Sequence, residues 1–279
     1  DNIFVVNRHD EYIGLLPLRK LLVSDPSMKV QDVMTSEIEP IPADMHESEV
    51  AAIFARYDLV SAPVIDQKGN LLGRITIDDV VDVIQDEADH SLLGMAGLDE
   101  DDDTFAPIVK TVRSRTLWLG ANLVTAFIAS TVINIFEETI AKVIALAVLM
   151  PIVASMGGVA GSQTLTLVIR SMALGQLVDS NQRWLINREL AVGAINGIVW
   201  SLLVALAVTL VFDDITLGFV IALALIINMF TAVLAGALLP SILKAMNIDP
   251  AVAGTVLLTT ITDVAGFLSF LGLATIFYA

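Results

Sequence analysis

The sequence predicts an α+β soluble part that contains a repeated unit, followed by an all-α membrane domain of five transmembrane helices. Three observations lead to this fold class. The 279 residues are 56% hydrophobic, yet the chain has a net charge of −16. The charge is unevenly placed, with 23 acids and 8 bases in residues 1–110 but 8 acids and 7 bases in residues 111–279. Two stretches of the acidic part align with each other, and long uncharged runs fill the remainder.

The charge and the residue types exclude several classes of function. The acids and bases of residues 1–110 leave a net charge of −15 (8 − 23), which repels phosphate, so nucleic acid is not expected as a partner. The chain has no cysteine, which excludes disulfides and thiolate metal sites. The three histidines, His9, His46 and His90, are scattered, and no catalytic constellation is visible. We therefore predict a protein that is not an enzyme.

The acidic part is a repeat, because Phe4–Leu22 aligns without a gap over Pro63–Val81. Each copy has the pattern of a strand, a turn, a second strand and an amphipathic helix. Ahead of the second copy, the pattern predicts a loop at Glu37–Ala43 and a helix from about Glu47 to Tyr57, with His46 or Ser48 near its cap.

The second copy, Val33–Gln85, resembles a cystathionine-β-synthase-type (CBS) domain, whereas the first copy matches only the later half of one. The resemblance implies a CBS pair whose first unit is partial. In that family a Gly, a Ser or Thr and an Asp or Asn bind the ribose and phosphate of adenine nucleotides, and Gly73, Thr76 and Asp79 match this pattern. ATP or another adenine nucleotide is thus implied at the second unit. The alternative is that Thr76 only caps the following helix.

Acids crowd the helix after the second copy. Asp78, Asp82, Asp86 and Asp89 recur at helical spacing, so they share a face and repel one another. Divalent cations with oxygen ligands would relieve this repulsion, although an acidic solubilising face is the alternative. The run Asp99–Asp103 is predicted to be a solvated linker.

Five uncharged or nearly uncharged runs follow, each longer than the ~20 residues that cross a bilayer. Arg and Lys concentrate on alternate connections, so the acidic part is predicted to be cytoplasmic and Ala279 to face outward. The protein is thus expected in a cytoplasmic (inner) membrane, in contact with lipid. The predicted spans are Thr116–Phe136, Val143–Ile169, Leu190–Phe212, Ile215–Leu243 and Pro250–Ala279.

Asp263 is the one acid placed well inside a span. A carboxylate at that depth is costly, so an ion or proton path is the primary interpretation, and pairing with a neighbouring helix is the alternative. Thr255 and Thr259 share its helical face, and Thr262 and Gly266 flank it.

The second span contains Pro151 and then a glycine cluster, Gly157, Gly158 and Gly161, ahead of Gln163. This pattern predicts a break in the helix that lines a watery path. Close packing of small residues against another helix is the alternative.

Several motifs in order resemble the MgtE family of magnesium channels: Phe136–Glu138 (FEE), Gly157–Arg170, Asp249–Ala251 and Thr259–Phe267. The resemblance implies a homodimer that conducts Mg²⁺, with the second and fifth spans of both subunits lining the pore. The family's pore aspartate falls on Asp263, and an acid near the cytoplasmic mouth falls on Asp249. Val159 departs from the Asn that the family commonly has there.

The resemblance also implies that cytoplasmic acids bind Mg²⁺ and close the pore. Their expected positions are Asp78, Asp86 and Asp89, with Glu47 and Glu49 as weaker candidates. The predicted pore wall comprises Asp263, Thr259, Thr262, Asp249, Gly157, Gly158 and Gln163.

The predicted function is therefore a Mg²⁺ channel or transporter gated by cytoplasmic Mg²⁺. The predicted domains are residues 1–34 and 35–95 as the two CBS units, 96–115 as an acidic linker and a connecting, plug-like helix, and 116–279 as the pore domain. Two alternatives stay open. One is a proton- or Na⁺-coupled carrier of Co²⁺ or Mn²⁺, and the other is a nucleotide-sensing membrane regulator.

Overall fold

The computed structural model describes residues 2–36, 39–98, 105, 107–177 and 179–278, and the predicted linker Asp99–Asp103 lies outside them. The described residues form two compact units, Asp1–Ala88 and Asp89–Ala279. The first unit holds all five strands of the described chain, and the second holds the long apolar helices.

The first unit consists of short strands and helices in chain order. The two-stranded sheet is antiparallel, while β3 pairs parallel and β5 antiparallel with β4 in the three-stranded sheet. The elements are β1 (Asn2–Val6), β2 (Tyr12–Pro17), α1 (Leu18–Val23), α2 (Val30–Val33), β3 (Ile41–Pro42), α3 (Glu47–Tyr57), β4 (Ser61–Ile65), β5 (Leu71–Thr76) and α4 (Ile77–Met95), which continues into the second unit.

The repeat predicted from the sequence is confirmed in the backbone. The offset in residue number between Phe4 and Pro63 also relates the elements of the two copies. Adding it to the bounds of β1 and β2 gives the bounds of β4 and β5, and adding it to the first residue of α1 gives the first residue of α4. Even the register irregularity recurs, between Val5 and Val6 in one hairpin and between Val64 and Ile65 in the other.

The helix predicted from Glu47 to Tyr57 is also confirmed, as α3. His46 is its N-cap, and its Nδ1 accepts a hydrogen bond from the backbone N–H of Ser48 at 3.4 Å. The buried face of α3, which includes Val50 and Phe54, packs in one cluster with strand residues such as Ala62. Burial of these apolar side chains holds the helix against the sheet.

The second unit contains α5 (Ile108–Ile135), α6 (Glu137–Lys142), α7 (Ala145–Ala173), α8 (Asp179–Phe212), α9 (Ile215–Ala245) and α10 (Pro250–Phe277). Within the described chain, α5 and α7–α10 are the five helices long and apolar enough to cross a membrane, as predicted. Two of them begin earlier than the predicted spans, α5 before Thr116 and α8 before Leu190. The prediction followed uncharged runs, whereas a helix continues through charged residues outside the hydrocarbon.

Helix α9 is the centre of the membrane unit, because about half of its residues are buried and it packs against α7, α8 and α10. We call the end at which α8 and α10 begin the proximal end, and the opposite end the distal end. Helix α5 packs mainly on α10. The core near the distal end includes Leu146, Val153, Leu225 and Phe270, all fully buried.

The distal end of α10 is attached to the connection between α8 and α9. The Tyr278 hydroxyl donates to Asp214, which also caps α9 by accepting from the Leu217 N–H at 3.0 Å. The hydroxyl of Tyr278, followed by backbone N–H donors, lowers the pKa of Asp214 against the opposing effect of burial. Burial and the Asp214 carboxylate raise the pKa of Tyr278.

Candidate ion pathway

Helix α10 begins with a capped turn. Asp249 is the N-cap, and its Oδ1 accepts from the Ala251 N–H at 2.7 Å, while Pro250 occupies the first turn, where no N–H is needed. The other carboxylate oxygen of Asp249 contacts Nε2 of His90 on α4. The predicted mouth acid thus lies at the proximal end, partly exposed and in contact with an imidazole.

Asp263 lies in the middle of α10 and is half-buried, as is Thr259 one turn earlier. The Thr259 hydroxyl donates to the Val256 carbonyl of its own helix at 3.0 Å. Its oxygen keeps acceptor capacity, because a hydroxyl has two lone pairs. Asp263 and Thr259 therefore lie on a face of α10 that the core of this chain does not cover.

A cavity of about 510 Å³ lies along the same face nearer the proximal end. Thr255 and Thr259 contribute to its wall from α10, and Arg115, Trp118 and Asn122 contribute from α5. The cavity does not extend to Asp263. Its wall mixes apolar side chains with a few polar groups.

Thr262 does not lie on this face. It is fully buried in the helix bundle, and its hydroxyl donates to the Thr259 carbonyl at 3.0 Å. Successive residues of a helix point about 100° apart, so the neighbour of a half-exposed Asp263 faces the core. The structure does not place Thr262 beside Asp263 as part of one open surface.

The predicted break in the second span is wrong, since α7 is continuous from Ala145 to Ala173. Pro151 lies near its beginning, and the loss of a single N–H there leaves the helix intact. A Cβ on Gly157 would lie 2.2 Å from Nδ2 of Asn228, and one on Gly161 would lie 2.9 Å from a methyl of Leu258. These two glycines allow α9 and α10 to approach α7 closely. Close packing of small residues, the alternative to a helix break in the sequence analysis, is therefore what the structure shows at Gly157 and Gly161.

The remaining polar face of α7 is open. A Cβ on Gly158 would meet nothing within 4 Å, Val159 is 55% exposed, and Gln163 is exposed. Gly158, Val159 and Gln163 therefore stay available for a pathway wall, whereas Gly157 does not.

The last turn of α4 packs at the proximal end. Beyond the His90–Asp249 contact, a Cβ on Gly94 would lie 3.2 Å from the Ala251 Cβ, and the Thr166 hydroxyl of α7 donates to the Met95 sulfur at 3.6 Å. Residues 108–115 instead form the first turns of α5. The end of α4 thus contacts the proximal ends of α7 and α10.

The predicted regulatory acids do not form a metal site within this single chain. Across the described residues, no three His, Cys, Asp or Glu side chains are grouped so that they could hold a metal ion. The acids in question are all exposed: Asp78, Asp86 and Asp89 on α4, and Glu47 and Glu49 in the first turn of α3.

At the predicted nucleotide pattern, Thr76 and Asp79 bond to each other. The backbone N–H and the hydroxyl of Thr76 both donate to Oδ2 of Asp79, at 3.0 and 2.8 Å. These bonds lower the pKa of Asp79, and the bond from the Thr76 N–H is one of the two bonds of a capping box at the start of α4. The space beside Gly73 is open. The Thr76 side chain is thus bonded to the first turn of α4, and there is room for a ligand beside Gly73.

Glu189 of α8 is a buried acid that the sequence analysis did not select. Its carboxylate accepts from Arg188 at 2.9 Å and from the Thr164 hydroxyl of α7 at 3.3 Å. It was missed because it stands one residue before the uncharged run that begins at Leu190. The sequence carried no distinguishing signal, because Glu137, Asp213 and Asp249 also stand directly beside predicted spans.

Comparison with known proteins places these features in a family. Residues 150–273 match MgtE, a divalent cation transporter family, and residues 30–86 match the CBS domain. The chain is 33% identical over 277 residues to the magnesium transporter MgtE of Bacillus subtilis, covering 99% of this chain and 61% of that protein. It is 32% identical over 274 residues to the magnesium transporter MgtE of Thermus thermophilus, covering 98% of this chain and 61% of that protein.

A solved structure of the cytosolic domain of the Mg²⁺ channel MgtE in complex with ATP is 39% identical over 29% of this chain and 33% of that chain. Its TM-score of 0.29 is too low to support an argument from shape. The chain spans about three fifths of the length of the curated relatives it matches.

The fold and the matches define an integral membrane protein that joins a CBS-type soluble unit to a five-helix domain of the divalent-cation-transporter class. Within that class, residues 150–273 form an MgtE-family domain, and almost the whole chain is similar to the magnesium transporters MgtE of the two organisms above.

Proposed function

We propose that the chain transports Mg²⁺ across a cytoplasmic membrane and does so as a homodimer. The observation that carries the proposal is Asp263, the single charged residue of α10, half-buried on a face that the chain's own core leaves open. A carboxylate in that position is costly unless a cation accompanies it. Two copies of the face would put two carboxylates opposite one +2 ion.

The chemistry of Mg²⁺ suits such a site. Mg²⁺ dehydrates reluctantly and keeps several waters at ~2.1 Å, so a path that holds the hydrated ion needs acceptors for water hydrogens. Asp263 and Thr259 offer such acceptors from α10, and Gln163 offers a side-chain amide from α7. Contact through water also keeps binding weak enough for release.

The proposed orientation has the soluble unit in the cytoplasm and the distal end outside. Six of the seven bases of residues 111–279 lie toward the proximal end, and Lys142 lies at the distal end. The positive-inside rule requires such an excess on the cytoplasmic side. The six are Arg113, Arg115, Arg170, Arg183, Arg188 and Lys244. An inside-negative potential then favours entry by ~2.3 kcal/mol per charge per 100 mV.

Gating by cytoplasmic Mg²⁺ is the finer part of the proposal. The end of α4 contacts the proximal ends of α7 and α10 through Met95 and His90, and the exposed face of the same helix carries Asp78, Asp86 and Asp89. Mg²⁺ shared between the acidic faces of two subunits would relieve their repulsion and stabilise this contact, which closes the path.

The test is Mg²⁺ uptake into proteoliposomes that contain the wild type, Asp263→Asn or the control Asp213→Asn. Asp213 is an exposed acid with φ of 53°, a conformation that Asn also adopts readily, so the control removes a charge without strain. We expect Asp263→Asn to reduce uptake by about tenfold or more, since ~1.4 kcal/mol of lost ion stabilisation gives that factor. Full uptake by Asp263→Asn would refute the assignment.

Two further arms separate the alternatives. Uptake that follows Mg²⁺ and the membrane potential, and ignores imposed proton and Na⁺ gradients, supports a channel, whereas dependence on either gradient supports a coupled carrier. For the nucleotide, we propose weak ATP binding beside Gly73 with the Thr76 hydroxyl as a contact. Titration of the wild type and Thr76→Ala with ATP tests it, and equal affinities would contradict it.

A further inference from the structure

Asn228 of α9 is a fully buried amide in the centre of the membrane unit. Its Nδ2 donates to the Val153 carbonyl of α7 at 2.8 Å. That carbonyl belongs to a helical residue and has a second lone pair, so it accepts the side chain in addition to its place in the helix. The bond therefore links α9 to α7 from side chain to backbone.

The amide fills the space above two glycines on two different helices. A Cβ on Gly157 of α7 would lie 2.2 Å from Nδ2 of Asn228, and a Cβ on Gly266 of α10 would lie 2.7 Å from the same atom. A methyl group at either position would have to displace the amide, because real Cβ contacts are not this short. Asn228 thus sets the separation of α7 and α10 at this level.

The other amide atom, Oδ1, is buried and has no hydrogen-bond partner within the described chain. An unsatisfied buried acceptor costs about 1–3 kcal/mol, whereas an apolar side chain of similar size would carry no such cost. Packing alone is therefore a poor reason for an amide at this position. A requirement for the hydrogen bond to Val153 explains it better.

Gly266 lies three residues, less than one turn, after Asp263 on α10. The two helices that Asn228 holds are the same two whose open faces carry Asp263 and Gln163. We infer that Asn228 is a positioning residue for ion transport, which fixes α10 relative to α7 so that the Asp263 carboxylate meets the hydrated ion at the right distance. This inference rests on the proposed function.

The principal test is Asn228→Leu, which keeps the number and branching of the side-chain heavy atoms and removes the hydrogen bond. The matched control is Thr231→Val on the same helix, whose hydroxyl donates only to the Ile227 carbonyl of α9 itself. Mg²⁺ uptake is measured in proteoliposomes against Mg²⁺ concentration and normalised to folded, monodisperse protein. Competition by Ca²⁺ is measured in the same vesicles.

For Asn228→Leu we expect the half-saturating Mg²⁺ concentration to rise about threefold or more and the preference for Mg²⁺ over Ca²⁺ to fall, with Thr231→Val unchanged. A purely structural role would lower the yield of folded protein and leave both quantities unchanged per folded molecule. That result would overturn the inference while wild-type uptake still supports the proposed function.

A second comparison separates packing from hydrogen bonding. Gly157→Ala should lower the thermal stability in detergent, and in an Asn228→Ala background its cost should largely disappear, because the amide is no longer there to collide with. The half-saturating concentration of this double variant should remain raised, since Val153 still lacks its donor. If the double variant recovered both the thermal stability and the half-saturating Mg²⁺ concentration of the wild type, a positioning role would be contradicted. A wild type that carries no Mg²⁺ would refute the proposed function, and with it this role.

Discussion

Gly236 of α9 is the position at which the tight packing of the membrane unit can be tested most directly. A Cβ there would lie 2.6 Å from the Gly161 carbonyl oxygen and 3.1 Å from the Leu165 nitrogen, both backbone atoms of α7. Neither atom can move aside by a change of rotamer, because both belong to the backbone of a helix. In Gly236→Ala, α9 must therefore move away from α7.

The size of the effect follows from these distances. Ordinary contacts of a Cβ begin near 3.4 Å, so the helices must separate by 0.8 Å (3.4 − 2.6) at this point. Overpacking of this kind costs about 1–3 kcal/mol, and the better helix propensity of Ala returns less than ~1 kcal/mol. We expect a net loss of about 2 kcal/mol, which corresponds to a fall in Tm of about 4–8 °C for a unit of this size.

The control is Gly158→Ala on α7, where a Cβ would meet nothing within 4 Å. Its stability should be equal to the wild type or higher by up to ~1 kcal/mol, from helix propensity alone. Thermal unfolding in one detergent, followed by light scattering and tryptophan fluorescence, measures both variants. Equal Tm values for Gly236→Ala and Gly158→Ala would show that the close approach of α9 to α7 is not a packing constraint.

Three further predictions concern the caps and the distal end. Thr76→Ala should destabilise the first unit by up to about 1 kcal/mol in urea unfolding, because the hydroxyl bond to Asp79 is lost while the backbone N–H bond remains, whereas Asp78→Asn at an exposed position should not. Asp79 has a lowered pKa in the folded state, so its contribution to stability is present above the unfolded pKa of ~3.9 and is lost as the pH falls. Asp79→Asn should therefore make the acid-induced loss of stability shallower. An unchanged dependence of stability on pH would contradict this. Tyr278→Phe should lower the free energy of unfolding by about 1 kcal/mol, because a hydrogen bond is lost. Since Asp214 then loses the donor that most lowers its pKa, the variant should also lose less stability below about pH 4. Thermal unfolding measures both effects, with Phe277→Leu as a neighbouring control.

Local features of the fold were predictable because they depend on neighbouring residues. The hairpins follow from alternating apolar residues and turn chemistry, and α3 follows from helical spacing after His46, so these elements appear at the expected positions. The five spans follow from length and hydropathy. None of these required knowledge of what each element touches.

Features that depend on the partner of a helix face could not be predicted in the same way. The glycines of α7 have the same pattern whether the helix bends or packs closely, and only the location of Asn228 and Leu258 decides for packing at Gly157 and Gly161. Thr262 and Thr259 look equivalent in the sequence, yet one faces the core. The contact of the α4 end with α10 joins residues far apart in the chain, which no local pattern records.

The two hairpins and helix starts of the first unit share one spacing, down to the same irregular pair, so the unit consists of two copies of one structural repeat. The two copies differ at the helix start. Helix α1 follows Pro17 without a side-chain cap and ends after 6 residues, whereas α4 keeps the Thr76–Asp79 pair and runs for 19. The helix start held by side-chain hydrogen bonds thus belongs to the copy whose helix continues into the second unit, and the copy without them has a helix that ends within two turns.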